Sequence, residues 1–151
     1  METVGSKMEK IELVKAIKTD DDYIYKMICD LENQILDYKV FKENFYSNLC
    51  MQNIDYYVIE SNGKKCGFVS LYTSILLHHN SRITEIQELI IEEKYRRNGM
   101  GRKVIDLAEK ICKDNKVEQL EVCTNIKRTM SQNFYKNNGF NETHYKYTKK
   151  L

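Results

Sequence analysis

A positively charged, glycine-containing stretch, RRNGMGR at residues 96–102, follows directly on an apolar run at residues 89–91. The apolar residues that begin at Met100 then recur at helical spacing. A helix N-terminus offers free backbone N–H groups and a positive dipole, so it binds phosphate groups. Glycines let the backbone approach a bulky anion closely. The stretch therefore predicts a pyrophosphate-binding turn. It is neither a Walker loop nor a dinucleotide fingerprint, because position 104, where the fingerprint needs a third glycine, is Val104.

The elements around this turn follow from the hydrophobic periodicity of the chain. Helical spacing predicts four helices, and alternation between turn signals predicts six strands. The strands cover residues 9–17, 55–60, 66–76, 82–91, 119–124 and 140–148, and the helices cover about 20–35, 39–50, 100–113 and 129–137. Hairpin signals join the earlier strands, and a helix joins the later ones. We therefore expect a mixed α/β fold with a mostly antiparallel sheet, a βαβ crossover and helices on both faces.

Length and charge limit the classes of protein that the chain can represent. It has 151 residues, 42% hydrophobic and 30% charged, which suits one domain with a real core. The net charge of +2 does not favour nucleic-acid or membrane partners. Five cysteines without regular spacing suit a reducing compartment, and the first residues lack the apolar core of a signal peptide. We expect one cytoplasmic domain spanning residues 1–151, with residues 1–8 as a flexible extension, and the sequence leaves a homodimer open.

Three segments in this order resemble a known family. They are EIQELII at residues 85–91, the RxxGxG turn at residues 96–101 and FYKNNGF at residues 134–140. Their order and spacing resemble those of the GNAT superfamily of acetyl-CoA-dependent N-acetyltransferases, over nearly the whole chain. The resemblance implies the GNAT fold and acetyl-CoA as cosubstrate.

The family resemblance also implies where acetyl-CoA binds. The turn would hold the pyrophosphate, and the preceding strand would pair through its backbone with the pantetheine arm. The Leu89 N–H would face the thioester oxygen and stabilise the oxyanion. The expected binding residues are Leu89, Ile90, Ile91, Arg96, Arg97, Asn98, Gly99, Met100, Gly101, Arg102, Asn125 and Tyr135.

Catalysis by this family implies a base and an acid. An acceptor ammonium with a pKa near about 10.4 must lose a proton before its nitrogen attacks the thioester. Glu85 matches the strand position of the glutamate base in several members, and Glu88 is the alternative. In a regular strand, residues three apart lie on opposite faces, so Glu88 would face away unless a bulge intervenes. Tyr135 matches the tyrosine that protonates the leaving sulfur.

The acceptor is less defined than the donor. Segments around residues 77–79, 85–89, 123–128 and 144–149 resemble bacterial aminoalkylphosphonate N-acetyltransferases, which implies a small primary amine with an anionic group. Lys127, Arg128 and Lys146 are candidate anion contacts. A cationic acceptor (an aminoglycoside, polyamine or protein amine) would instead use acidic residues from the set Asp30, Glu32, Asp37 and Glu43. A regulatory CoA-binding module without catalysis is the third alternative.

A divalent metal is left open by the sequence but is not predicted. Members of the resembled subgroup can depend on one, and His78, His79 and His144 are the available imidazoles. The chain shows no tight metal-binding spacing such as HExxH. We therefore assign no metal ligands.

Overall fold

The computed structural model describes residues 9–151, and the predicted N-terminal extension, residues 1–8, lies outside the described residues. In chain order, the strands are β1 (Ile11–Lys15), β2 (Ile54–Ser61), β3 (Lys64–Leu76), β4 (Ser81–Ile91) and β5 (Gln119–Val122). The helices are α1 (Asp21–Glu32), α2 (Tyr38–Leu49), α3 (Met100–Asp114) and α4 (Thr129–Asn137). Short 3₁₀ turns at Lys18–Asp20 and Glu93–Tyr95 precede α1 and follow β4.

The strands form a single sheet in the order β1-β2-β3-β4-β5. The first four are antiparallel neighbours; short turns join β2 to β3 and β3 to β4, whereas α1 and α2 lie between β1 and β2. Asn62 and Gly63, with φ of 50° and 79°, make the first of these turns. β5 pairs parallel with β4 after the α3 crossover. The predicted mixed sheet with one βαβ unit is confirmed.

Helices cover both faces of the sheet, as predicted. On one face, Val104, Ile105 and Ala108 of α3 are buried in a core with residues of β2, β3 and β4. On the other face, Ile24 and Met27 of α1 and Phe45 of α2 are buried in a second cluster with Val58, Phe68 and Ile90. The helices α1, α2 and α3 thus each bury an apolar side, which is the pattern of a surface helix.

The prediction of a last strand over residues 140–148 is wrong. Residues 141–151 have no regular secondary structure and are exposed throughout. The alternating sequence is suited to a strand, but a strand needs a hydrogen-bonding neighbour. Within residues 9–151, no backbone group beyond Phe140 pairs with the sheet.

β1 and β5 are the outer strands of the sheet, so each presents one unpaired edge within the described residues. Within residues 9–151, every helix is too short or too polar to traverse a lipid bilayer.

Candidate active site

β5 is shorter than β4, so the last part of β4 has no strand partner on that side. β5 pairs with β4 only from Ile83 to Ile86, whereas β4 continues to Ile91. The Glu92 N–H donates to the Cys66 oxygen on β3 at 2.8 Å. Because bonded and non-bonded pairs alternate in an antiparallel ladder, the backbone groups of Ile91 and Leu89 point away from β3. They face the gap beyond the end of β5. This unpaired length of β4 is the open edge that a pantetheine arm needs.

The turn after β4 has the backbone geometry of an anion-binding loop. Arg97 and Gly99 have φ of 69° and 78°, and α3 begins immediately afterwards at Met100. No side chain caps the first turn of α3. The first N–H groups of the helix therefore remain available to a ligand. Gly101 is needed for packing, because a Cβ there would lie 2.9 Å from the Phe134 ring.

The side chains of the turn divide into exposed and buried groups. Arg97, Asn98 and Arg102 are exposed to solvent. Arg96 donates from Nε to the Ile91 oxygen at 2.6 Å, so it lies across the end of β4. Met100 is only 2% exposed and its sulfur lies 3.6 Å from that of Cys66. Met100 therefore offers a ligand only its backbone.

A β-bulge at Gln87 sets the direction of the acidic side chains on β4. Ser70 pairs with Glu88 and the next residue of β3 pairs with Ile86, so Gln87 has no partner. Ile86 and Leu89, three residues apart, accordingly both pack on the α3 side of the sheet. Glu88 therefore lies on the same face as Glu85, because the extra residue interrupts the alternation expected of a regular strand; this is the bulge that the sequence left open.

Glu88 lies at the floor of a cleft between the sheet and the α1–α2 pair. The cleft has a volume of about 330 Å³ and is lined by aliphatic and aromatic side chains with a few polar groups. The Ser70 hydroxyl donates to the Glu88 carboxylate and accepts the Glu88 N–H at 3.0 Å. Burial raises the pKa of Glu88, with Ser70 acting in the opposite direction and the charge of Glu32 adding to the rise.

A polar network that the sequence did not single out borders Glu88. Asn48 donates to the Tyr56 hydroxyl at 2.7 Å, and the Tyr56 and Tyr72 hydroxyls are 3.1 Å apart. Burial raises the pKa of Tyr56 well above its usual range. A signal was present in β3, where Ser70 and Tyr72 alternate with apolar Val69 and Leu71. Two polar residues on one face of a central strand indicate a site on that face.

Glu85 lies on the same side of the sheet but outside the cleft lining. Its register partner on β3 is Tyr72, which lines the cleft, and its partner on β5 is Glu121. The pKa of the Cys123 thiol is raised by burial and then by the charge of Glu85. Glu85 therefore stands near the end of β5, whereas Glu88 stands in the cleft.

Tyr135 and Asn125 lie on the β5–α4 side of the gap. Tyr135 is half-buried, and its ring packs edge-on against Phe134 and Phe140 with centroids 5.1 and 5.5 Å away. Burial raises the pKa of Tyr135, and the charge of Arg128 acts against that rise. The Asn125 side-chain oxygen accepts the Lys127 N–H at 2.9 Å, so its amide nitrogen remains a free donor.

Among the candidate anion contacts, Arg128 reaches across towards α1. Its guanidinium donates to the Leu31 oxygen at 3.2 Å. Lys127 is exposed beside it, and Lys146 belongs to the exposed C-terminal segment. Within the described part of the chain, no lysine or arginine lines the cleft. Arg128 is therefore the candidate cation that bridges the α1 side and the Tyr135 side.

The acidic candidates and the histidines are dispersed. Asp37 lines the cleft but caps α2 by accepting the Val40 N–H at 2.9 Å, and Glu43 is exposed on α2. Asp30 lines a second, more open cleft of about 660 Å³ beside Arg96. The rings of His78 and His79 lie 4.6 Å apart in the β3–β4 turn. Over residues 9–151, no three His, Cys, Asp or Glu side chains group in a way that could hold a metal ion.

Comparison with known proteins assigns the family. A model of the acetyltransferase (GNAT) domain matches residues 52–142. An aminoalkylphosphonate N-acetyltransferase of Salmonella typhimurium is 35% identical over 144 residues, which cover 95% of this chain and 94% of that protein.

Solved structures share the fold at low sequence identity. A possible acetyltransferase from Clostridium difficile 630 superposes with a TM-score of 0.81 at 20% identity, covering 93% of this chain and 97% of the other. The aminoglycoside N-acetyltransferase AAC(6')-Iy, solved with CoA, gives a TM-score of 0.81 at 12% identity, covering 98% and 99% of the two chains. The open strand edge, the glycine turn and these matches lead to one conclusion: the chain belongs to the GNAT family and is an N-acetyltransferase.

Proposed function

We propose that the protein transfers the acetyl group of acetyl-CoA to a small primary amine that carries an anionic group, such as an aminoalkylphosphonate. The observation that carries this proposal is the half-buried Glu88 at the floor of a cleft, directly beside the open edge of β4. A carboxylate placed there can receive a proton from an amine that approaches a donor held along β4. The similarity to the Salmonella aminoalkylphosphonate enzyme supports the acceptor class.

The chain holds acetyl-CoA with two features. The turn at residues 96–102 offers exposed arginines and the free N–H groups of α3 to the pyrophosphate. The backbone of Leu89 and the Ile91 N–H offer hydrogen bonds to the pantetheine amides, whereas the Ile91 oxygen already accepts from Arg96. When bound, acetyl-CoA supplies an activated acetyl thioester. The Leu89 N–H donates to the carbonyl oxygen of that thioester, where negative charge grows during attack.

Glu88 acts as the base in this proposal, in preference to Glu85. The acceptor enters as an ammonium, whose pKa near about 10.4 leaves it protonated at neutral pH. The carboxylate of Glu88 takes this proton, either directly or through a water, and the amine nitrogen then attacks the carbonyl carbon. A base is more effective when its pKa lies closer to that of the acid it deprotonates, and burial moves the pKa of Glu88 in that direction.

Tyr135 acts as the acid. As the C–S bond breaks, the leaving thiolate of CoA takes a proton from the phenol. The ordinary pKa of a phenol, near about 10, leaves it protonated at neutral pH and able to donate, and burial raises the pKa of Tyr135 further. Its position on α4, across the gap from β4, supports this role.

The anionic end of the acceptor binds Arg128 in this proposal. The cleft itself carries no cation within the described residues, whereas the Arg128 guanidinium reaches the Leu31 oxygen at the end of α1. A guanidinium presents a planar fork of donors that matches a phosphonate. An acceptor held by Glu88 and Arg128 would carry its amine at one end and its anionic group at the other.

A cationic acceptor is the second candidate, and one observation favours it. The cleft is bordered by Glu88 and Asp37, with the charge of Glu32 close enough to act on Glu88. Such a lining attracts polyamines as well as simple amines.

An acetyl-transfer screen that measures free thiol tests the proposal. Aminoalkylphosphonates, alkylamines of equal length, polyamines, aminoglycosides and peptides are compared, each with and without divalent metal. We expect the highest kcat/KM with an aminoalkylphosphonate. Faster turnover of a polyamine would favour the second candidate, and binding of acetyl-CoA without turnover of any amine would indicate a regulatory module.

A further inference from the structure

An acidic side chain stands at the entrance to the positively charged turn. Glu92 is the first residue after β4 and precedes Arg96 by four residues. Its side chain is 20% exposed, and it lines the second, more open cleft together with Arg96 and Lys94. A carboxylate at this place opposes a bound pyrophosphate, because like charges repel. The direction of the Glu92 side chain therefore affects how well the turn holds an anion.

Tyr23 of α1 holds the Glu92 carboxylate. The Tyr23 hydroxyl donates to Glu92 Oε1 at 2.9 Å, and Lys94 Nζ lies 3.5 Å from the other oxygen, Oε2. The Lys94 side chain is 70% exposed, so this ion pair contributes little. Burial, followed by the hydrogen bond to Glu92, raises the pKa of Tyr23, so its hydroxyl remains a donor well above neutral pH. The hydrogen bond from Tyr23 is therefore the main restraint on the carboxylate.

The ring of Tyr23 is itself fixed in place. It packs against the core on the α1–α2 side of the sheet, and Lys65 Nζ lies 5.4 Å from the ring centroid. Lys65 in turn pairs with Asp20 at 2.7 Å, and the other carboxylate oxygen of Asp20 accepts the Ile17 N–H at 2.8 Å. Because the ring is restrained from several sides, its hydroxyl holds the Glu92 carboxylate in one position.

Arg96 is the group with which a released Glu92 would pair. Its Nε donates to the Ile91 oxygen, and the rest of its guanidinium is on an exposed side chain. Among the ion pairs within residues 9–151, none involves Arg96. Glu92 and Arg96 line the same cleft, and a guanidinium binds a carboxylate strongly. An Arg96 paired in this way is lost to the pyrophosphate.

We propose that Tyr23 is a positioning residue for acetyl-CoA, whose hydroxyl keeps the Glu92 carboxylate away from Arg96 and so leaves the charge of the turn to the pyrophosphate. This inference rests on the proposed use of acetyl-CoA as the donor. Tyr23 acts through Glu92 and Arg96, not by contact with the donor. Loss of the hydroxyl should therefore weaken donor binding and leave the chemical step unchanged.

Calorimetric titration with acetyl-CoA tests this role in the parent, in Tyr23→Phe and in the double variant Tyr23→Phe/Glu92→Gln. Tyr23→Phe keeps the ring and should raise the Kd of acetyl-CoA by about 5- to 30-fold. The double variant should return to the parent Kd, because a neutral amide does not pair with Arg96 as a carboxylate does. A purely structural role of Tyr23 would not be rescued by Glu92→Gln.

Tyr25→Phe is the matched control. Tyr25 also lies on α1, and its hydroxyl donates to the Leu36 oxygen at 2.8 Å. Each single variant loses one hydrogen bond, so both should melt below the parent. We expect a raised Kd of acetyl-CoA in Tyr23→Phe and the parent Kd in Tyr25→Phe.

Acetyl-pantetheine, a donor without the pyrophosphate, locates the effect within the donor. With one amine acceptor, Tyr23→Phe should raise KM for acetyl-CoA, leave KM for acetyl-pantetheine unchanged, and keep the parent kcat with both donors. An equal rise in KM for both donors overturns the proposal, because it indicates a general disturbance of β4.

Two further results overturn the proposal. One is a parent Kd in Tyr23→Phe, and the other is a Kd that stays raised in the double variant. In both cases the parent binds acetyl-CoA, so the proposed function is unaffected. A parent that does not bind acetyl-CoA contradicts this inference and the proposed function together.

Discussion

The Ser70 hydroxyl binds both the carboxylate and the backbone N–H of Glu88. Because Glu88 follows the bulge at Gln87, its N–H donates to this side-chain oxygen in place of a regular ladder bond. Ser70 itself is completely buried. The same hydroxyl thus fixes the rotamer of Glu88 and limits the effect of burial on its pKa.

Ser70→Ala should therefore shift the pH dependence of the enzyme. The hydrogen bond lowers the pKa of Glu88, so its loss should raise that pKa and move the acid limb of kcat/KM to higher pH. Loss of the partner of a buried N–H should also cost about 1–3 kcal/mol of stability. Thr73→Val is the matched control, because its hydroxyl pairs with Thr84 at 2.7 Å on the same two strands. A similar shift in both variants would argue against a direct Ser70 effect on Glu88.

Glu88→Gln should lower activity and raise stability at neutral pH. Loss of a general base should reduce kcat by about 10²–10⁴-fold, and less as the pH approaches the pKa of the acceptor amine. Burial raises the folded-state pKa of Glu88, so its contribution to stability is present below the unfolded-state pKa and is lost as pH rises through the folded-state value. The variant should therefore melt higher than the parent at pH 7, and this difference should shrink in acid.

Glu85→Gln is the comparison for that experiment. Glu85 lies on the same sheet face but beside Cys123, outside the lining of the cleft. We expect a smaller loss of kcat/KM from Glu85→Gln, measured over the same pH range with one amine. If Glu85→Gln loses the acid limb while Glu88→Gln keeps the parent profile, Glu85 is the base.

Gly99→Asp should abolish binding of acetyl-CoA. The parent should gain about 2.7 kcal/mol of stability at about 100 times Kd, and the added carboxylate should repel the pyrophosphate. Gly63→Asp is a closely matched control, because Gly63 and Gly99 have φ of 79° and 78° and open space at the Cβ position. Both substitutions strain the backbone alike. Acetyl-CoA should therefore raise the melting temperature of Gly63→Asp and leave that of Gly99→Asp unchanged.

Tyr135→Phe should lower kcat by about 10²–10⁴-fold with little change in the Kd of acetyl-CoA. The ring contacts with Phe134 and Phe140 do not need the hydroxyl, so the packing should persist. Tyr57→Phe removes a hydroxyl from a tyrosine that is only 7% exposed in the α3-side core, and it should keep the parent kcat. If the Tyr135→Phe variant turns over its substrates at the parent rate, Tyr135 contributes only to packing.

Arg128→Gln should raise KM for an aminoalkylphosphonate by about 10-fold or more, since hydrogen bonds to charged groups contribute about 1.5–3 kcal/mol. KM for an alkylamine of the same length should change little. Lys127→Gln, an exposed neighbour, provides the control for loss of one positive charge. Equal effects of Arg128→Gln on both acceptors would contradict an anion contact.

The predictable parts of the molecule depend on local patterns. The apolar stripe of α3 and the glycine turn before it are encoded within about twenty adjacent residues. The structure contains both the helix and the turn. The Asn62-Gly63 hairpin is a two-residue signal of the same kind. Such features need no knowledge of distant neighbours, because helix and turn geometry is set by nearby residues.

The remaining features depend on contacts between distant segments. Nothing in the sequence of β4 indicates the bulge at Gln87, because the bulge is defined by the pairing of Ser70 on β3 with Glu88 on β4. The cleft likewise requires α2 to bring Asn48 against Tyr56. Residues 140–148 show the opposite case, in which a sequence pattern suited to a strand has no pairing partner within the described chain.

The extra residue in β4 also bears on how the length of this strand can change in evolution. Deletion of Gln87 would leave a regular ladder, in which Glu88 still pairs with Ser70 and Ile86 with Leu71. Glu88 would keep its face in the cleft, and Leu89 would keep its place in the α3-side core. A descendant of this protein could therefore lose this one residue without exchanging the two faces of the sheet, whereas deletion of a paired residue beside it would exchange them for the rest of the strand.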